Sequence, residues 1–417
     1  MRFAILALGS RGDVQPYVAI GSGLAGAGHD VRLVTTKNHE ALVAGHGLEP
    51  VAVPFDVQAA LSTPEAARAL ERSSLVALRT FKDIAVRAAR LTAEVGLEAC
   101  RGTDVIVTGF SGAFLAEGIA RRLSLPLVQA FNVPLTPTAE FPGALTPWLD
   151  FGPRSRRLGH VLSRQAMWLT ARASSDAARR EVLGMPAAPR LVPGRFPGLV
   201  EGRVLYGYSP AVLPRGPEWG ADISVTGFWF TDEPPGFSPP AALVDFLAAG
   251  PPPVCIGFGS MSQRDPARVT ALVLEAVRRA GVRALLLAGW GGLTAERLPP
   301  RVLALDSIPH SWLFPRCAAV VHHGGAGTTA AALRAGVPSL VVAFHGDQPF
   351  WGEVVHRAGA GPRHLLHRRL SVDGLSRGLE QLTRDEAMRA RARALGEAIR
   401  AEDGVGRAVE LLTRPDR

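Results

Sequence analysis

Two histidines and three glycines stand together in the segment VVHHGGAGTTAA, residues 320–331. The segment follows an apolar stretch typical of a strand and precedes a predicted helix from Thr328 to about Ala335. A glycine turn there lets the backbone approach an anion closely, and the helix N-terminus adds unsatisfied N–H groups with partial positive charge. The segment therefore predicts a diphosphate site to which His323 and the Thr328 hydroxyl add donors. A tight turn without a ligand is the alternative.

Two further polar segments follow predicted strands in the same half of the chain. GFGSM (257–261) follows the first of these strands, HHGGAGT (322–328) the fourth and HGDQPFWG (345–352) the fifth. In a doubly wound sheet of strand order 3-2-1-4-5, strands one and four flank the point where a ligand crevice opens. The three segments are thus predicted to converge on one crevice.

Strand and helix patterns alternate along nearly the whole chain, which indicates βαβ units and parallel sheets. Strands are predicted at 2–8, 30–36, 104–109, 126–131 and 223–230, then at 253–260, 284–290, 302–308, 318–323 and 339–344. Helical patterns begin near Val14 and recur within 64–100, 113–123 and 154–183. A Pro/Gly-rich zone at 191–240 separates the two sets of strands.

The predicted fold class is therefore α/β, with two Rossmann-like domains facing each other across a cleft. We place the first domain at 1–220, the second at 221–400 and a terminal helical segment at 401–417.

The composition limits the partners and the location. A net charge of +9 is carried almost wholly by arginine and is dispersed, which argues against a nucleic-acid partner. The three cysteines, Cys100, Cys255 and Cys317, are spaced neither as a zinc module nor as a disulfide framework. The start MRFAILALGSRGD has no cleavage pattern of a signal peptide, and no run approaches the ~18 apolar residues of a membrane span, so we expect a cytoplasmic protein.

A nicotinamide enzyme is one alternative, because Gly325-x-Gly327-x-x-Ala330 matches GxGxxA and Asp347 follows about 20 residues on. That fingerprint belongs to the first βα turn of a sheet, however, and here it follows the fourth strand. A non-hydrolysing sugar-nucleotide epimerase and a non-catalytic partner protein are further alternatives.

Taken in order, five segments resemble a known family. They are GSRGDVQPY (9–17), GFGSM (257–261), SIPHSWLFPR (307–316), HHGGAGTT (322–329) and GDQPFWG (346–352). The chain resembles, over essentially its full length, the inverting glycosyltransferases of the GT-B fold that act on sterols and on antibiotic or macrolide-type natural products. The resemblance implies an acceptor site in the first domain, a nucleotide diphosphate sugar as co-substrate in the second, and a last helix that crosses back onto the first.

The resemblance also implies a role for individual residues. The donor diphosphate would be held by His323, Gly325, Gly327 and Thr328, with Ser260 near the phosphates or the ribose. Ile308 and His310 would frame the base through their backbone, and Asp347 and Gln348 would bond hydroxyls of the transferred hexose. Asp347 is also a natural helix N-cap before Pro349, and we expect it to serve both purposes.

The sequence departs from the family pattern at two places. Ala331 stands where many relatives have a glutamate that grips the ribose, which leaves the choice between UDP and TDP open. Asp13 occupies the loop in which many plant relatives carry a histidine base, and Thr108 stands near the position of that base's partner. Asp13 is therefore the predicted catalytic base for the acceptor hydroxyl; a plain N-cap before Val14 is the alternative.

No two aspartates are separated by a single residue, so the metal-binding DxD pattern is missing from the sequence and the predicted reaction needs no metal. The helix N-terminus and His323 would then stabilise the leaving diphosphate.

An apolar acceptor is predicted to lie in the first domain against five residues expected to face the cleft, although each also suits a core. They are Phe110, Asn132, Phe141, Trp148 and Trp168. Arginines among apolar residues at 75–100 and 154–183 suit either a transient membrane-surface contact or a solvated helix face.

Overall fold

A computed structural model describes residues 1–56, 74–188, 202–231, 236–259, 265–288 and 298–414 of the protein. A first parallel sheet has the order β3-β2-β1-β4-β5-β6-β7. Its strands are Arg2–Leu6 (β1), Asp30–Thr36 (β2), Glu49–Val53 (β3), Val105–Thr108 (β4), Leu127–Phe131 (β5), Arg203–Tyr206 (β6) and Ile223–Val225 (β7).

The second sheet is also parallel and has the order β10-β9-β8-β11-β12-β13. Its strands are Val254–Gly257 (β8), Ala284–Leu287 (β9), Val302–Leu305 (β10), Ala319–His322 (β11), Ser339–Ala343 (β12) and Leu365–Leu366 (β13). Numbered within this domain the order is 3-2-1-4-5-6, as predicted for its first five strands. The prediction of two Rossmann-like α/β domains is confirmed.

Helices cover both faces of the two sheets. They are Arg11–Gly26 (α1), Glu40–Ala44 (α2), Ser74–Cys100 (α3), Ala113–Leu123 (α4), Pro153–Glu181 (α5), Ala241–Ala248 (α6), Pro266–Ala280 (α7), His310–Leu313 (α8), Ala326–Ala335 (α9), Gln348–Arg357 (α10), Val372–Arg384 (α11), Glu386–Arg400 (α12) and Gly404–Thr413 (α13). A helix lies in most of the described crossovers between parallel strands, as in α1 between β1 and β2 and α7 between β8 and β9. The connection from β6 to β7, residues 207–222, contains no helix.

The strands missing from the prediction lie toward the margins of the sheets. β3 contains Pro50 and precedes Pro54. Proline is tolerated in a strand where its missing N–H has no partner strand to bond, and β3 is an edge strand of this kind.

β7 was predicted but assigned to the second domain, whereas it pairs with β6 in the first sheet. The domain boundary predicted at residue 221 therefore moves beyond Val225, into the Pro/Gly-rich zone.

The last described helix returns to the first domain. Ala408 and Leu412 of α13 are buried in the same cluster as Val14 and Val18 of α1. A side chain at Gly23 of α1 would lie 2.6 Å from Val405 Cγ1, so the glycine permits the two helices to pack closely. α13 thus ties the end of the second domain to the first.

Candidate active site

A cavity of about 1440 Å³ separates the two domains. Loops that follow β1, β4 and β5 line one side, and loops that follow β8, β10, β11 and β12 line the other. The carboxyl ends of both parallel sheets therefore face the same space, which is where open α/β sheets bind their ligands.

The turn between β11 and α9 has the geometry that an anion site needs. Gly324 has φ +91°, and a side chain there would lie 2.6 Å from Val341 Cγ1, so only glycine fits. Gly325 is the N-cap of α9, and Gly327 and Thr328 lie in its first turn and line the cavity. The N-terminal N–H groups of a ten-residue helix thus open into the cavity.

The imidazole of His323 is held between two glycines. A Cβ added at Gly325 would lie 2.5 Å from His323 Nε2, and one added at Gly259 would lie 2.9 Å from its Cε1. Burial lowers the pKa of His323 to about 4, so the ring is neutral at neutral pH. Its Nδ1 is buried and finds no hydrogen-bond partner within the described ranges. A neutral ring with an unmatched nitrogen is suited to bond a ligand oxygen.

Other predicted donor residues surround this turn. Burial lowers the pKa of His310 to about 4, with a further contribution from the charge of Arg11, and its ring stacks on Phe314 with centroids 4.4 Å apart. Ile308 is buried, and both Ile308 and His310 line the cavity. Ser260, predicted near the phosphates, lies outside the described residues.

Asp347 and Gln348 lie at the start of α10, and both line the cavity. Gln348 Oε1 accepts from the N–H groups of Phe344 (2.7 Å) and His345 (3.3 Å), which holds the loop after β12 in place. Asp347 occupies the N-cap position, but its carboxylate makes no capping bond and accepts instead from Trp351 Nε1 at 3.1 Å. The predicted N-cap position of Asp347 is thus confirmed, but the expected capping bond is not formed; Pro349, two residues on, has no N–H to offer.

Asp13 lies in the third position of α1 and lines the cavity. Its Oδ2 accepts from the backbone N–H and the hydroxyl of Ser10, both at 2.8 Å. Ser10 is thus the N-cap, and the alternative that Asp13 itself caps the helix is wrong. Burial raises the pKa of the Asp13 carboxyl, against the opposing effects of the Ser10 bonds and of nearby His39.

The two domains interact electrostatically across the cavity. Burial raises the pKa of Asp347 to about 6, and the negative charge of Asp13 on the opposite wall adds to that shift. The positive charge of Arg11 likewise acts on His310 of the second domain. The loop after β1 therefore lies directly opposite the donor-side loops.

Two of the five predicted acceptor residues, Phe110 and Asn132, line the cavity. The other three do not face it, which corrects that expectation. Trp168 is 1% exposed and packs on Phe114, and Phe141 is buried against Trp219 and Phe350, because both rings fill the core beneath the loops. Trp148 is 66% exposed on the surface.

The first-domain wall is mainly apolar, and several of its residues were not predicted. They are Tyr17, Leu42, Val133, Leu135, Ala144, Leu145, Met167 and Phe230. Met167 is next to the predicted Trp168 on α5. The sequence therefore indicates the correct helix but not which side of it faces the cavity. Ser10 and Arg11 also line the cavity and were not predicted. Both lie within the family motif GSRGDVQPY (9–17), so the motif could have identified them.

Within the described ranges, no group of three or more histidine, cysteine, aspartate or glutamate side chains has the arrangement of a metal site. The same residues contain no helix long and apolar enough to cross a bilayer.

Two family models match the chain, one in each domain. Residues 3–108 match the glycosyltransferase family 28 N-terminal domain, and residues 289–406 match the C-terminal domain of erythromycin biosynthesis protein CIII-like proteins.

Two of the similar curated proteins are sterol 3-beta-glucosyltransferases. UGT80A2 of Arabidopsis thaliana is 36% identical over 98% of this chain and 65% of its own length. The enzyme of Cryptococcus neoformans var. neoformans serotype D (strain JEC21) is 35% identical over 99% of this chain and 27% of its own. The chain therefore spans less than two thirds of these relatives.

Solved structures share the fold at low identity. The glycosyltransferase SnogD from Streptomyces nogalater aligns with a TM-score of 0.66 at 22% identity, over 99% of each chain. The glycosyltransferase VinC, solved in complex with dTDP, aligns with a TM-score of 0.65 at 19% identity, over 99% of each chain. Sheet order, cavity position and sequence similarity agree: the chain has the GT-B fold, each of its domains matches a glycosyltransferase-related family model, and its full length is similar to sterol 3-beta-glucosyltransferases.

Proposed function

We propose that the protein transfers a hexose from a nucleotide diphosphate sugar to a hydroxyl of an apolar acceptor, with inversion and without a metal ion. The observation that carries the proposal is the opposition across the cavity of Asp13, from the first domain, and Asp347 beside the His323 turn, from the second. A base on one wall and an anion site on the other are what a direct displacement at a sugar carbon requires.

On the donor side, the diphosphate lies at the N-terminus of α9. His323 donates a hydrogen bond without adding charge, because its pKa of about 4 keeps the ring neutral. The helix N–H groups and Arg11 then supply the positive potential that stabilises the leaving diphosphate. Asp347 and Gln348, beside this turn, bond hydroxyls of the hexose. The nucleotide is UDP or TDP. The choice between the two stays open, because Ala331 leaves the ribose without an acidic partner at that position.

On the acceptor side, Asp13 takes the proton of the attacking hydroxyl. Both hydrogen bonds from Ser10 end on Oδ2, so the carboxylate is held in one orientation and Oδ1 is the oxygen that we assign to the proton. Its raised pKa makes it a stronger base than an exposed aspartate, which favours proton transfer as the new bond forms.

An apolar acceptor suits the aliphatic and aromatic wall that includes Phe110, Leu135 and Met167. The curated relatives named for sterol glucosylation support a sterol or another lipid alcohol, and the antibiotic glycosyltransferases of the same fold support a polyketide or macrolide.

A calorimetric titration with UDP, TDP and NAD in the presence of EDTA tests the donor site. We expect saturable binding of UDP or TDP without metal, and weaker binding of the same nucleotide to His323→Ala. Binding of NAD alone would contradict the proposal and favour the dinucleotide alternative.

A further inference from the structure

The donor-side helix α10 contacts the first domain at two points. Near its start, Phe350 packs on Phe141 of the first domain, with ring centroids 6.3 Å apart. At its last residue, Arg357 Nη2 donates to Asp150 Oδ2 of the first domain at 2.6 Å. Phe350 and Arg357 are seven residues apart in the sequence, which is about 10 Å along the helix axis. Two separate contacts fix both the position and the angle of the helix.

The first-domain side of this contact is a loop, residues 139–152, that is held firmly on α5. His160 Nε2 of α5 donates to the backbone carbonyl of Phe141 at 3.1 Å. A side chain at Gly143 would lie 2.9 Å from the backbone carbonyl carbon of Gly159, so this glycine allows the loop to lie directly on the helix. The loop therefore gives α10 a fixed surface to pack on.

Asp150 lies in the middle of a row of alternating charges. Its Oδ1 accepts from Arg156 Nε of the first domain, and its Oδ2 accepts from Arg357 of the second. Arg357 Nε also donates to Glu353 Oε1, one turn earlier on α10, at 2.9 Å. The side chain of Asp150 is 16% exposed, so solvent screens its bonds less than those of a surface pair. Burial acts to raise the pKa of Asp150, but the hydrogen bonds from Arg357 and Arg156 outweigh it and lower that pKa, so the carboxylate is charged at neutral pH.

α10 connects this contact to the two sides of the cavity. Trp351 Nε1 donates to Asp347 Oδ2 at 3.1 Å, so the carboxylate of Asp347 follows the position of the helix. The loop 139–152 in turn contributes Ala144 and Leu145 to the acceptor wall. The bond between Asp150 and Arg357 thus joins the element that carries the donor-side carboxylate to the element that carries part of the acceptor wall.

We propose that Asp150 and Arg357 are positioning residues for the transfer: their bond holds α10 at the angle that places Asp347 opposite Asp13. Neither Asp150 nor Arg357 lines the cavity, so both act through the helix and not on the substrate. The proposal rests on the proposed function, because it requires Asp347 to bind the hexose. Such positioning matters because a misplacement of about 1 Å can lower a rate about 10²-fold.

Calorimetry with and without the hexose tests this role. The probes are UDP against UDP-glucose and TDP against TDP-glucose, and within each pair the ratio of the dissociation constants measures what the hexose contributes. In Arg357→Gln and in Asp150→Asn this ratio should fall about three- to tenfold, because Asp347 is displaced. The nucleotide alone should bind with unchanged affinity and stoichiometry, whereas a general loss of folded protein would lower the stoichiometry for both ligands.

Glu353→Gln is the matched control. Glu353 bonds the same guanidinium from within α10, and its replacement leaves the bond to Asp150 in place. This variant should keep the hexose contribution unchanged. Arg357→Lys, which keeps the positive charge, should recover part of the loss seen in Arg357→Gln. The double variant Asp150→Asn/Arg357→Gln should be no worse than either single variant, because each one already breaks the bond.

Asp347→Asn separates this proposal from the proposed function. It should lower the hexose contribution about tenfold or more. If it does not, the proposed hexose site is wrong and the positioning role falls with it. If it does, but Arg357→Gln and Asp150→Asn do not both lower the contribution, only the positioning role is wrong. Equal losses in Glu353→Gln and Arg357→Gln, or additive losses in the double variant, would also overturn the positioning role.

Discussion

Asp347 is a carboxyl whose ionisation the fold opposes, so its replacement by asparagine should stabilise the protein at neutral pH. Its pKa rises from 3.8 to about 6, chiefly through burial and further through the charge of Asp13. A shift of roughly two units corresponds to about 3 kcal/mol, and solvent in the cavity reduces this to between about 1 and 3 kcal/mol. Asparagine keeps an oxygen that can accept from Trp351 Nε1 and removes the charge.

The pH dependence of the free energy of unfolding shows whether the ionisation of Asp347 causes the difference between the two proteins. Below about pH 4 Asp347 is protonated in the folded and the unfolded chain, so unfolding free energies of variant and unchanged protein should agree. As the pH rises through about 4 to 6, the unchanged protein should lose stability because ionisation is harder in the folded state. Above about pH 6 the difference should stay constant, with Asp347→Asn the more stable protein.

Urea unfolding followed by circular dichroism at about pH 4 and about pH 8 measures this difference. The exposed Asp245 on α6 provides the control Asp245→Asn, which should change the free energy of unfolding by less than about 0.5 kcal/mol at either pH. A variant no more stable than the unchanged protein at the higher pH would refute the reasoning. In the double variant with Asp13→Asn, the gain from Asp347→Asn should shrink, because the opposing charge is gone.

Three further predictions concern the donor site. His323→Ala should raise the donor dissociation constant about tenfold or more, measured by calorimetry, because the neutral ring donates a hydrogen bond to the diphosphate. Gly325→Ala should lower the midpoint temperature of thermal unfolding, because the added Cβ would lie 2.5 Å from His323 Nε2. Gly327→Ala is the control: its Cβ would meet open space, so the midpoint temperature should stay unchanged or rise slightly. Transfer in EDTA should proceed at the rate seen with added magnesium, and dependence on the metal would contradict the proposed leaving-group stabilisation.

The sequence predicts the loops of the site well because their rules are local. A strand, a glycine turn and a helix N-terminus follow one another within residues 318–335, and parallel strands bring their carboxyl ends to one edge. Once the strand order was inferred, the convergence of the loops at Gly259, His323 and Asp347 followed without any long-range information.

What the sequence could not show depends on packing between distant segments. Met167 and Trp168 are adjacent, and which of them faces the cavity depends on the rotation of α5, which is set by packing of Trp168 on Phe114. The influence of Asp13 on Asp347, 334 positions away in the sequence, depends on how the two domains meet. Short edge strands such as β13 have too few residues for a pattern.

The most direct test of the central claim compares Asp13→Asn with the unchanged protein in sugar transfer and in donor binding. The acceptor should be an apolar alcohol in solution, and the donor the nucleotide sugar that calorimetry selects. We expect transfer to fall about 10²- to 10⁴-fold while the donor dissociation constant stays unchanged, since Asp13 acts on the acceptor proton. Transfer at the normal rate by Asp13→Asn would contradict that role.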